Sequence, residues 1–273
     1  MTKTTAKLEA LMDKHTELID HLAITYGLPL HIVFLEQFEA NATGFKDALQ
    51  ASYANGFVAL AVKSNPCRGA VRAASHHGLG ADVASENELR LALEEGIPAE
   101  RIICNGNAKS TVYLTMALEA GCHIAVDNQD EISEIKRLTS ENSCPASIFL
   151  RFRGMPLAGL TSDDQTTAAD WTKFGFHISE AADLFSQFVD HPSIHCRGVS
   201  AHIGTQIAEP AGYERLLDHL LQLTELARDL GLSPDIIDIG GGFPVAFLSE
   251  QEWRGFQARL GERLQFASSE SVT

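Results

Sequence analysis

"FVALAVKSNPCRGAVRAASHHGLGADVASENELRLALEEG", residues 57–96, contains two short apolar runs, each followed by a helix-length segment. Apolar runs of this length, bounded by turn residues, read as buried strands. The first is "FVALAV" (57–62) and the second "GADVA" (80–84). Between the second run and the helical "ENELRLALEEG" (86–96), Ser85 and Glu88 form an S-x-x-E capping box, which by itself accounts for both residues. The same alternation continues through "RIIC" (101–104), "HIAV" (123–126), "SIFLRF" (147–152), "GVSAHI" (198–203) and "IIDI" (236–239). Helical segments follow at 179–189 and 214–231, the latter closed by Gly231. Strand and helix in alternation require parallel strands with crossover helices. Two α/β architectures satisfy this, an open doubly wound sheet and a closed (β/α)8 barrel. Lys63, Asp82, Arg151, His202 and the triplet Gly240, Gly241 and Gly242 all fall at or just beyond the carboxyl ends of different strands. A barrel gathers those ends around one mouth, so a TIM-type barrel is expected.

Composition sets outer limits. The 273 residues are 45% hydrophobic and 21% charged, enough for a sizeable core in one large domain or two smaller ones. A formal net charge of -15 argues against a nucleic-acid partner while leaving room for a local site for one phosphate. Cys67, Cys104, Cys122, Cys144 and Cys196 are odd in number and without a C-x-x-C pair, the pattern of free thiols in a reducing cytoplasm. The first twenty residues are amphipathic and include acidic side chains, and no apolar run reaches membrane-spanning length, so a cytoplasmic protein without a membrane anchor is expected. An earlier run, "PLHIVFLE" (29–36), reads as a strand of another sheet, followed by a helical connection. The stretch 153–172 reads as a long loop over the mouth, and 249–267 as a further helix.

The strand-end residues carry the chemistry. A lysine at the end of a buried strand is costly unless it is paired, neutralised or covalently used, and Lys63 poses that question. Most histidines at such positions are satisfied core residues, but His202 is followed by Gly204 and Thr205 in a small polar loop. Three consecutive glycines, 240–242, remove side-chain cover from the backbone, so their N–H groups can converge on an anion, whereas a tight turn ordinarily needs one glycine. The triplet fits neither the dinucleotide fingerprint nor the P-loop. An amine, a flat imidazole, a carboxylate and a phosphate cradle at one mouth suit pyridoxal 5'-phosphate, whose aldehyde takes a lysine, whose ring takes a stacking face and whose phosphate takes donors.

With these segments in view, "AVKSNP", "GLGADVASENEL", "ICNGNAKS", "FLRFR", "KFGF", "AHIGTQI" and "DIGGGFP", the sequence resembles the fold-type III pyridoxal-phosphate decarboxylases, the family of diaminopimelate, ornithine and arginine decarboxylases. The matching segments run in family order from about residue 30 to 245. The resemblance implies that Lys63 forms the Schiff base with the cofactor, that His202 stacks on its ring, and that Thr205, Gly240, Gly241 and Gly242 hold its phosphate. It places Asp82 and Arg151 in the pocket around the lysine, Glu88 beside them, and Lys173 near a dimer interface. It implies decarboxylation of a basic or diamino amino acid, with diaminopimelate ranked first, by a homodimer. A type III racemase, or a cofactor-binding homologue without turnover, is the alternative.

The departures shape the expected domains. The family's E-P-G-R-type segment on the eighth strand, which supplies the carboxylate for the pyridine nitrogen, is not found, nor are the segments of its C-terminal β domain. Residues 1–40 are therefore expected to hold a helix and a strand that in the family pairs with the second domain, and 41–273 a barrel lacking its last strand. Open barrels expose strand edges, so marginal stability of this chain alone is also expected.

Overall fold

The computed structural model describes residues 3–155, 172–207 and 210–245. The chain forms two compact units, residues 1–32 with 244–273 and residues 33–243. In the first, α1 (Lys3–Lys14) and α2 (Thr16–Tyr26) are amphipathic helices separated by His15. Residues 27–34 form neither helix nor strand, and the expected strand at 29–36 gives way at Leu35 to a helix. A strand exists only through a neighbour, and none of the described strands pairs with this segment. The expected loop over the mouth lies almost wholly, and the helix at 249–267 entirely, outside the described residues.

The second unit begins with α3 (Leu35–Ser52), the helical connection, and continues as β1 (Ala59–Ala61), α4 (Arg68–His76), β2 (Gly80–Val83), α5 (Glu86–Glu94), β3 (Ile102–Cys104), α6 (Thr111–Ala120), β4 (His123–Val126), α7 (Gln129–Asn142) and β5 (Ala146–Arg153). After β6 (Phe176–His177) and α8 (Ala181–Ser186) come β7 (Ile194–Ser200), α9 (Pro210–Asp229) and β8 (Ile236–Asp238). All pairings are parallel, in the order β1-β2-β3-β4-β5-β7-β8, with β6 hydrogen-bonded to the far end of β5. All seven apolar runs form strands; the two-residue β6 was not anticipated. The sheet ends on β1 and β8 without pairing them, so among the described residues the barrel is open.

Local chemistry explains where the helices start. Ser85, Ser110 and Asn128 each accept a hydrogen bond from the backbone N–H three residues on, capping α5, α6 and α7 directly after a strand-end loop. At the other end of α9, Gly231 adopts the left-handed conformation expected of it, with φ of 98°.

The two faces of the sheet differ. Outward residues such as Ala81, Val83, Ile124, Ile148 and Leu150 join the main core against the helices. On the inner face, Ile103, Ala125 and Phe149 form a smaller cluster with Phe57 and Ile236, a floor beneath the strand ends. A bulge decides which side of β7 faces in. Pairing jumps from Ile148↔Cys196 to Phe149↔Gly198, so Arg197 is an extra residue. That single insertion reverses the alternation and puts Ser200 in register with Arg151 and Asp238. Glycine is required at Gly198, where a Cβ would penetrate the Ile236 carbonyl. All five cysteines are free, with Cys104, Cys122 and Cys196 buried.

Candidate active site

Above the inner floor the strand ends carry a polar layer. Asp82 on β2, Asn105 after β3, Asp127 after β4, Arg151 on β5, Ser200 on β7 and Asp238 on β8 follow one another around the sheet. Neighbours bond in pairs: the Asn105 amide donates to Asp82 at 2.6 Å, Arg151 Nη1 to Asp127 Oδ1 at 3.0 Å, and Ser200 Oγ to Asp238 Oδ2 at 3.0 Å. Lys63 follows β1 in a single 3-10 turn, Val62–Ser64, and His202 follows β7.

The charges of the expected residues act on one another. Burial raises the Asp82 carboxyl to about 6, the Asn105 amide pulls it back, Asp238 raises it further, and Lys63 and Arg151 lower it. Burial lowers the His202 imidazole to about 4, with Arg151 and Lys63 adding to the effect, so the ring is neutral near pH 7. The N–H of Gly241 donates to His202 Nδ1 at 3.2 Å, which assigns the acceptor role to that nitrogen. Lys63 itself is exposed. The expectation of a buried ammonium is corrected: among the described residues β1 is an edge strand of the sheet, with only β2 paired to it.

The glycine turn is built around His202. A Cβ on Gly240 would lie 2.8 Å from His202 Nδ1, and one on Gly242, whose φ is 92°, would collide with the Gly204 carbonyl. Gly241 is different: a Cβ there meets nothing within 4 Å. The turn's N–H groups do not all point to open space, since Gly240 donates to Asp238 Oδ1 at 2.8 Å and Gly241 to His202. Tyr213 on α9 donates its hydroxyl to the Gly241 carbonyl at 3.2 Å and stacks on Phe243, with ring centroids 5.0 Å apart.

The remaining expected residues are less central. Thr205 is exposed one position beyond Gly204. Glu88 caps its helix: its N–H donates to Ser85 Oγ at 3.3 Å, and its carboxylate accepts from the Ala84 N–H at 2.9 Å. Lys173 is exposed, with Nζ 5.3 Å from the Phe174 ring centroid. That same ring lies 4.6 Å from the Arg151 guanidinium carbon.

A buried ionic network next to the site was not singled out from the sequence. Lys109, with no exposed side-chain surface, donates from Nζ to Glu131 Oε2 at 2.8 Å and to the Gly106 carbonyl at 2.7 Å. Glu131 Oε2 also accepts from the Asp127 N–H at 2.9 Å. Lys109 lies in the quoted segment "ICNGNAKS", but its partner is 22 residues away and only the fold joins them.

Among the described residues there is no histidine, cysteine and carboxylate cluster able to hold a metal ion, and no helix long and apolar enough to cross a membrane. The chain is 30% identical over 237 residues to a diaminopimelate decarboxylase of Zymomonas mobilis, covering 85% of this chain and 56% of that protein. It is 33% identical over 235 residues to one of Halalkalibacterium halodurans, covering 83% and 52%. A solved diaminopimelate decarboxylase from Helicobacter pylori complexed with L-lysine has the same fold, with a TM-score of 0.75 at 23% identity, over 85% of this chain and 58% of that one. The chain thus spans about half the length of the curated relatives it matches. Residues 35–265 match the family described as pyridoxal-dependent decarboxylase, pyridoxal binding domain, and this chain belongs to that family.

Proposed function

We propose that the chain provides the pyridoxal 5'-phosphate site of an amino-acid decarboxylase acting on a basic or diamino substrate, with diaminopimelate first. The observation that carries this reading is the convergence at the strand ends of Lys63 and Arg151, whose charges both act on Asp82 and on His202, beside a glycine turn folded around His202. The donor set fits the cofactor: one accessible amine, one flat neutral ring, one guanidinium and an uncovered backbone position at Gly241. When bound, the cofactor supplies an aldehyde that condenses with amines and a ring that draws electrons from the bond being broken.

The chain's own residues then divide the work. Lys63 presents its amine at the open end of β1, where cofactor and substrate amine both have access. His202, kept neutral by burial, offers its ring face without adding a positive charge. Arg151 brings a fixed cation for an oxygen of the cofactor, and the turn at Gly240, Gly241 and Gly242, with Thr205, borders the phosphate. Asp82, raised to about 6, can hold or release a proton near neutral pH. Glu88 secures the β2–α5 turn beneath Asp82. The family resemblance further supports a cytoplasmic homodimer with Lys173 near the interface, and residues 1–40 serving a second, β-rich domain.

Gly241 gives a clean probe of the cradle. Its φ lies outside the left-handed region and a Cβ there meets open space, so Gly241→Ala is expected to fold normally. The methyl group occupies the uncovered position and is expected to weaken cofactor affinity about tenfold, about 1.4 kcal/mol. An absorbance titration that returns the unaltered dissociation constant would remove the turn from the cofactor site.

The substrate is tested with the protein at its natural length, loaded with cofactor and offered diaminopimelate, ornithine, arginine and lysine in turn. Carbon dioxide release is expected to be fastest from diaminopimelate, with lysine as product; L-lysine is the ligand carried by the Helicobacter pylori structure. Release from another member alone would overturn the ranking, and an inverted stereocentre without carbon dioxide would replace the decarboxylase by a racemase.

A further inference from the structure

The Arg151 guanidinium is held on two sides. Asp127 accepts from Nη1 at 3.0 Å on one, and the Phe174 ring lies 4.6 Å from the guanidinium carbon on another. The ion pair is enclosed, with the Arg151 side chain 11% exposed and that of Asp127 2%. Asp127 is itself fixed from behind. Its N–H donates to Glu131 Oε2, the carboxylate oxygen that also takes Lys109 Nζ, and the Glu131 N–H is bonded to Asn128 Oδ1 at 3.0 Å. The chain of contacts therefore runs from the β3–α6 loop, through Glu131 and the end of β4, to the tip of Arg151 on β5. An arginine has many rotamers, and a rigid counter-charge favours those that point the guanidinium at it.

We propose that Asp127 is a positioning residue of the cofactor site: it aims the Arg151 guanidinium, so that cofactor affinity depends on Asp127 through Arg151. This rests on the reading of Arg151 as a cofactor contact. A charge effect and a positioning effect have opposite signs here. If Asp127 acted only as a nearby negative charge, its neutralisation would make the mouth more positive and tighten an anionic cofactor. If it aims Arg151, neutralisation frees the guanidinium and affinity falls.

The experiment measures the pyridoxal 5'-phosphate dissociation constant by visible absorbance for the protein at its natural length and for Asp127→Asn, Arg151→Gln and the double variant, each accompanied by a thermal melt. Asp127→Asn is expected to weaken binding about tenfold and Arg151→Gln at least as much. The double variant is expected to bind no worse than Arg151→Gln, because the two residues act as one unit. Asp127→Glu keeps the charge and displaces it by one methylene, and it is expected to weaken binding about threefold; it serves if Asp127→Asn does not fold. Tighter or unchanged binding by Asp127→Asn, unchanged binding by Asp127→Glu, or independent losses that multiply in the double variant would each overturn the proposal. If Arg151→Gln leaves affinity unaltered while the parent binds, the proposal fails and the cofactor site stands. If the parent does not bind the cofactor, both fail.

Discussion

Lys63→Ala is expected to abolish the Schiff-base absorbance band that the cofactor gives the unaltered protein, while the cofactor-free protein melts almost as before. The side chain is exposed, so its removal costs the fold no more than about 0.5 kcal/mol. Lys109 lies in another strand-end loop, but its Nζ is buried against Glu131 and the Gly106 carbonyl, and releasing it would leave a buried carboxylate unpaired. Burial also lowers the Lys109 pKa, with the Glu131 carboxylate opposing the shift. Lys173 lies beyond β5 rather than β1, with its Nζ over the Phe174 ring. A band of undiminished strength in Lys63→Ala would contradict the assignment.

Phe149→Ala is expected to destabilise the second unit by about 3–5 kcal/mol, a large share of the roughly 5–15 kcal/mol available to an ordinary domain. Phe149 is fully buried on the inner face, packs with Ile103 and Ala125, and stacks on His123 with ring centroids 5.0 Å apart. The His123 ring is in turn bonded to Ser147 and to the Glu100 carbonyl, so the floor cannot easily collapse into the space the phenyl leaves. In a denaturant melt the midpoint should fall with little change in slope. A shift worth less than about 1 kcal/mol would mean that the floor does not support the strand ends.

How far the sequence alone leads depends on the range of the interaction concerned. The apolar runs from "FVALAV" to "IIDI" are local signals of buried parallel strands, and the caps at Ser85 and Gly231 are local too; all appear where expected. The two-residue β6 is too short to leave a period, and the bulge at Arg197 shows only in register with β5. The segment at 29–36 has the apolar character of a strand, but pairing decides, and no described strand pairs with it. Lys63 lies just beyond β1, as its place after an apolar run predicts, but its exposure goes with β1 being an edge strand among the described residues rather than with its neighbours in sequence. The Lys109–Glu131 and Asp127–Arg151 pairs join residues 22 and 24 positions apart, so each looks like an ordinary loop charge until the fold brings its partner.

The claim on which the rest depends is that Lys63 is the amine that holds the cofactor. Borohydride reduction of the cofactor-loaded protein, followed by mass mapping of its peptides, tests this directly. The mass of one reduced cofactor is expected on the peptide containing Lys63 and none on those containing Lys109 or Lys173. Stoichiometric label on a different lysine, with the Lys63 peptide unmodified, would contradict it.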